Sequence, residues 1–170
     1  MPRNRLWFVL AVTLAACSEG DRGVLEPKRD EGIELVSTHG HPNDTARLQA
    51  GGITADVDGR WSNQGESIEI RYRSGNLPAR IEMTAASTWN GQTAPATAAW
   101  DRTVPEPGNA IGRPLLDAGP LRLAAGETKL VQVQFDRAVD GDRPSIGDEV
   151  TVTVPMPGGA RATRFRVAGE

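Results

Sequence analysis

The chain has one cysteine among its 170 residues, two histidines, one tyrosine and three phenylalanines, and its 19 Lys and Arg are outnumbered by 22 Asp and Glu. A lone cysteine closes no intramolecular disulfide and builds no multi-thiolate metal centre. Two histidines, His39 and His41, leave little imidazole for general-base catalysis or for a histidine-rich metal site. A formal charge of −3 argues against nucleic acid or an anionic membrane face as partner. No apolar run approaches the roughly 20 residues that cross a bilayer as a helix. Helical periodicity is missing over any dozen residues, and 19 glycines with 12 prolines interrupt the chain too often for long helices.

What is present begins at the N-terminus. Arg3 and Arg5 precede an apolar stretch from Leu6 to Thr13, which runs into Leu14, Ala15, Ala16 and then Cys17. A basic start, a short apolar segment and small residues before a cut are the parts of a secretory signal. The run Leu14-Ala15-Ala16-Cys17 resembles the lipobox of bacterial lipoprotein signal peptides, and the resemblance covers residues 1–17. It implies cleavage before Cys17 and a thioether-linked diacylglycerol on that cysteine, with two or three acyl chains in all. It also implies the outer membrane of a diderm cell, facing the periplasm, because Ser18 rather than Asp follows the cysteine. Several acyl chains anchor durably where one does not. Removing Arg3 and Arg5 takes Lys and Arg from 19 to 17 against 22 acids, so the mature charge becomes −5. With Cys17 acylated no thiol remains for catalysis or metal binding.

Residues 18–32, SEGDRGVLEPKRDEG, are rich in charge, with Val24 and Leu25 as the adjacent apolar pair. Such a segment buries too little to offset its ordering entropy, so a flexible tether of roughly 20 Å reach is expected. An N-terminal strand packed through Val24 and Leu25 is the alternative. The folded domain is then expected over residues 33–170, long enough for one core without staples.

Beyond Ile33 the dominant pattern is alternation of apolar and polar residues. Ile68, Ile70 and Tyr72 interleave with Glu69, Arg71 and Arg73, and Ile81, Met83 and Ala85 with Glu82 and Thr84. Val131, Val133 and Phe135, then Val150, Val152 and Val154, then Phe165 and Val167 repeat it downstream. Ile33–Val36, 45–48 and 53–57 are fainter versions. Period-two runs separated by Gly, Pro and Asn read as half-buried strands and turns. Ser74 to Pro78 is expected to turn as a hairpin or a corner, and Pro155 to Gly159 as a hairpin loop. The segment LRLAAGETKLVQVQF, Leu121 to Phe135, resembles the corner of bacterial immunoglobulin-like and fibronectin-like modules, without the paired cysteines of antibody domains. The fold class expected is therefore all-β, an immunoglobulin-like antiparallel β-sandwich.

Candidate chemistry is sparse. His39 and His41, with Asp44 nearby, are the candidate metal-ligating residues, although two good ligands fall short of the three or four that zinc requires. Asp56-Val57-Asp58-Gly59 and Asp140-Gly141-Asp142 resemble fragments of calcium loops but lack the distal glutamate, and Asp-Gly is ordinary turn chemistry. Glu69 and Glu82 share polar phases with Arg71, Arg73 and Arg80, which cross-strand ion pairing explains. No serine sits in a G-x-S-x-G elbow. Trp61 and Trp89, near turn residues, are the candidate ligand-binding aromatics, whereas Trp100 is placed in the core.

Together these features lead to an envelope lipoprotein that binds or braces and does not catalyse. No cofactor is called for. The membrane is a partner through the lipid on Cys17, an envelope protein is the expected docking partner, and nucleic acid is excluded. A glycan- or metal-binding module is the alternative. A hydrolase is the third reading and requires a concave carboxylate cluster that the strand pattern does not supply.

Overall fold

The computed structural model describes residues 22–62, 65–103, 112–137 and 144–169. Every regular element in them is a strand: β1 (Arg22–Pro27), β2 (Ile33–Val36), β3 (Thr45–Ala50), β4 (Ile53–Ser62), β5 (Gly65–Ser74), β6 (Ala79–Ile81) and β7 (Ala86–Trp89). The second half supplies β8 (Gln92–Pro95), β9 (Ala98–Asp101), β10 (Arg113–Pro114), β11 (Leu121–Leu123), β12 (Thr128–Asp136), β13 (Glu149–Val154) and β14 (Arg161–Gly169). All pairings are antiparallel. The expected all-β, antiparallel sandwich is what the chain forms.

Alternation decides the facing of each strand. Ile68, Ile70 and Tyr72 of β5 point inward, and β12 lies beside it in a register that sets Val131 opposite Ile70 and Val133 opposite Ile68. Phe135, Ile70 and Val152 are wholly buried and share one core with Phe165, Val167 and the aliphatic residues of β3 and β4. The small β6–β11 sheet adds Ile81, Leu121 and Leu123 to that core. Tyr72 crosses between layers: its hydroxyl donates to the Pro155 carbonyl at 2.8 Å, and burial pushes its pKa well up. Ser74 to Pro78 forms a corner, because β5 and β6 belong to different sheets.

β4 joins the two layers. β5 follows it along one edge for its whole length. On the other edge, Ile53–Val57 pairs with β3 and Gly59–Ser62 pairs with β1. β10, β9, β12, β5, β4, β3 and β2 thus form one layer, and β1, β14, β13, β7 and β8 continue into the other.

β1 corrects the expected tether over 18–32 and the domain start at 33. From Arg22 to Pro27 the chain is a strand, with β14 on one edge and β4 on the other. Composition misjudged it because the stabilisation is mostly backbone pairing on two edges, to which Leu25 adds a side chain only 2% exposed. Beyond β1, the Lys28 N–H donates to Arg164 O at 2.9 Å, and Arg164 Nε donates to Asp30 at 2.8 Å.

Candidate functional site

Where β4 changes partner, the sheet opens. β3 pairing ends with Ala46 opposite Val57, and β1 pairing begins with Leu25 opposite Gly59, so Asp58 falls between the two registers. The β2–β3 loop, residues 37–44, spans this gap. The result is a groove of about 980 Å³ on the outer face, lined by His39, His41 and Asp44 from the loop, by Asp58, Glu69, Arg60 and Gln132 from the strands, and by Arg102 just after β9.

Asp44 shapes the loop. Its carboxylate accepts backbone N–H bonds from Thr38 at 2.8 Å, His39 at 2.9 Å and His41 at 3.4 Å. Burial pushes this carboxyl up, but those donors and the Thr45 hydroxyl outweigh it and hold it at about 2. Asn43, at φ 58°, takes the left-handed turn position that Asn tolerates.

Asp58 behaves oppositely. Burial pushes its carboxyl above the usual range, a hydrogen bond from Thr45 and the nearby His39 work against that, and the neighbouring Asp44 and Glu69 reinforce it. His39 Nδ1 stands 3.7 Å from Asp58 Oδ1 and 2.9 Å from the Thr38 hydroxyl. Glu69 lies directly opposite Asp58 in the β4–β5 register, an arrangement of like charges that destabilises the pair unless something positive is near. Arg102 supplies part of that, with Nη1 4.0 Å from Glu69 and a 2.9 Å hydrogen bond to Gln132.

This carboxylate pair departs from the expectation that the strands supply no concave acidic cluster. The Asp58-Gly59 pair was expected in a turn but lies within β4. Gly59 is there for packing: a Cβ on it would sit 2.7 Å from Leu25 Cβ and 2.8 Å from Leu25 Cδ1. The second Asp-Gly stretch, residues 140–142, is outside the described residues. Chemically, the groove presents acceptors on its floor with imidazole and guanidinium groups around them, a donor set suited to a ligand carrying several hydroxyls or an amine.

His39 and His41 do share the groove, as part of its lining. Among the described residues, however, no three of His, Cys, Asp and Glu come together in a way that could hold a metal ion. The oxygens of Asp44 are already taken by backbone donors.

Trp61 and Trp89, expected as exposed aromatics for ligand binding, are half-buried against the core. Trp61 reaches across β1: its indole N–H donates to Ala168 O of β14 at 2.8 Å, and a Cβ on the intervening Gly23 would lie 2.2 Å from that nitrogen. Trp89 donates to Asp148 at 3.1 Å and is covered by the Arg137 guanidinium at 5.9 Å. Both serve the architecture. Trp100, expected inside, takes the outward phase opposite Gln132, while Asp101 turns inward to Lys129 at 3.0 Å.

The sequence reading missed a buried ion pair. Arg137 grips Glu66 through Nε at 2.9 and 3.1 Å and also donates to Ser87 on the opposite layer at 3.2 Å. The two side chains are 7% and 1% exposed. The signal was available, since Glu66 stands in the apolar phase of Ile68 and Ile70, and Arg137 in that of Val133 and Phe135.

Cys17, and Leu14, Ala15 and Ala16 before it, lie outside the described residues. Among those described, no helix is long and apolar enough to cross a membrane. No protein-family model, no curated protein and no solved structure matches this chain.

Proposed function

We propose that the protein is a bacterial envelope lipoprotein, held in the membrane by lipid on Cys17, whose β-sandwich acts as a non-catalytic binding or structural module. The observation that carries this reading is the run Leu14-Ala15-Ala16-Cys17, closing a short apolar stretch that opens with Arg3 and Arg5. The groove supports binding over catalysis, because its carboxylates are engaged: Asp44 with the loop backbone, Asp58 with Thr45 and His39, Glu69 with Arg102. The outer membrane, facing the periplasm, is the location consistent with Ser18, and an envelope protein is the partner of first choice. Expression of wild-type and Cys17→Ser chains in cells fed labelled fatty acid tests the reading. Label in the wild type and none in the variant is expected, with the variant accumulating as an unprocessed precursor; equal labelling of the two refutes it.

A second reading, a glycan ligand for the same domain, has one specific observation in its favour. Trp100 faces outward directly opposite Gln132, which lines the groove, so an aromatic surface adjoins a row of hydrogen-bonding groups. Quenching of tryptophan fluorescence by cell-wall oligosaccharides, lost in Trp100→Ala, is the expected result. Release of reducing ends that disappears in Asp58→Asn would replace both readings with a hydrolase.

A further inference from the structure

We propose that the pole of the sandwich from which β1 starts rests on the lipid surface that holds Cys17, so that the domain stands on the membrane with its opposite pole directed away. This inference depends on the reading of Cys17 as the lipid anchor. Its basis is the length of chain left over. Arg22 is already paired with Ser62, and Gly23 is paired with Trp61 on one side and Gly169 on the other. Only residues 18–21 then separate the anchor from the sheet, and the five steps from Cys17 to Arg22 span at most about 18 Å when fully extended. A strand fixed on both edges gives no hinge after that point.

The same pole carries an exposed apolar side chain at the right place. Ile146 is 57% exposed, and its Cδ1 lies 3.4 Å from where a Cβ on Gly169 would be. Gly169 pairs with Gly23, so Ile146 stands beside the point where the chain leaves for the anchor. Single exposed aliphatic residues are common on protein surfaces; its position beside the anchor is what makes this one informative. The far pole is built from turns: the Gly75 N–H bonds Gly52 O at 2.9 Å, and the Gly126 N–H bonds Gly75 O at 2.7 Å. There Leu77 is 77% exposed. β5 runs from pole to pole with 10 residues, and at roughly 3.3 Å per residue it holds Leu77 about 30 Å beyond the lipid-facing end.

The test uses the full acylated chain in phosphatidylethanolamine/phosphatidylglycerol vesicles containing a headgroup-spin-labelled phosphatidylcholine. A fluorophore is attached at a single introduced cysteine, Ile146→Cys or Leu77→Cys, acylated Cys17 offering no thiol. Quenching at position 146 should exceed that at position 77 at least threefold, and a twelve-residue Gly/Ser insert between positions 21 and 22 should abolish the difference. Equal quenching at the two positions in protein that carries fatty acid overturns the orientation and leaves the anchor intact. Absence of fatty acid from Cys17 overturns both.

Discussion

The two halves of β4 are built from the same kind of strand and held in different ways. The half from Ile53 to Val57 is paired to β3, its neighbour in sequence, through a tight turn at Gly51-Gly52 in which both residues have positive φ, 54° and 74°. Its inward residues are aliphatic, and on its outer face Asp56 is clasped by Arg47, with Nε at 2.7 Å, and by Arg73. The half from Gly59 to Ser62 is paired to β1, far earlier in the chain, and relies on side chains that cross strand boundaries. Gly59 leaves room for Leu25, Gly23 leaves room for the Trp61 indole, and Glu66, opposite Trp61 in the register, reaches Arg137 inside the sandwich. Local pairing is specified by turn chemistry, whereas distant pairing has to be specified by shape and buried polar groups. The groove lies at the seam between the two.

The sharpest way to break the distant half is to remove one member of its buried ion pair. Glu66→Ala leaves the Arg137 charge without its partner in a desolvated site, and a loss of about 3–5 kcal/mol is expected in chemical denaturation. Leu25→Ala compared with Leu48→Ala comes next. Both leucines are nearly inaccessible, at 2% and 1%, so each substitution should cost about 2–5 kcal/mol; a leucine on a tether would cost nothing. Trp61→Phe keeps an aromatic ring but loses the indole bond to the Ala168 carbonyl, and about 1–2 kcal/mol is expected from that missing bond. The smallest effect is confined to the seam. Because the folded-state carboxyl of Asp44 is held at about 2 against an ordinary 3.8, its anchoring of residues 37–44 is complete above the ordinary value and lost as pH falls through 2. Amide resonances of Thr38 and His39 should move in that acid window in the wild type and stay put in Asp44→Asn.

Much of this architecture was legible where alternation is strict. The middles of β5, β12, β13 and β14 are legible because one face is apolar and the other polar, but only β13 is legible at close to its true limits; β14 extends from Arg161 to Gly169 around the run at Phe165 and Val167. β7 to β10 are not marked in the sequence: Ala86–Trp89 and Gln92–Pro95 alternate little, and they are joined by a tight Asn90-Gly91 turn with φ 48° and 76°. β1 is the alternative that the Val24-Leu25 pair allows, and charge-rich composition favours a tether over it because pairing to two long strands leaves little mark in a strand's own composition. The groove's histidines were visible in the sequence. Of their carboxylate neighbours only Asp44 was, because Asp58 and Glu69 meet only through the β4–β5 register, and Asp-Gly is ordinary turn chemistry. The same limit applies to Trp100, whose outward phase follows from Asp101 turning inward to Lys129.

The central claim is that the charged segment from Arg22 to Pro27 is no tether but β1, an integral strand of the sandwich. Native-state amide hydrogen exchange of the full chain tests it most directly. The amides of Gly23 to Glu26 should exchange as slowly as those of Thr163 to Val167 in β14, through the same global opening. Exchange at the rate of an unstructured peptide would contradict it and return the segment to a tether.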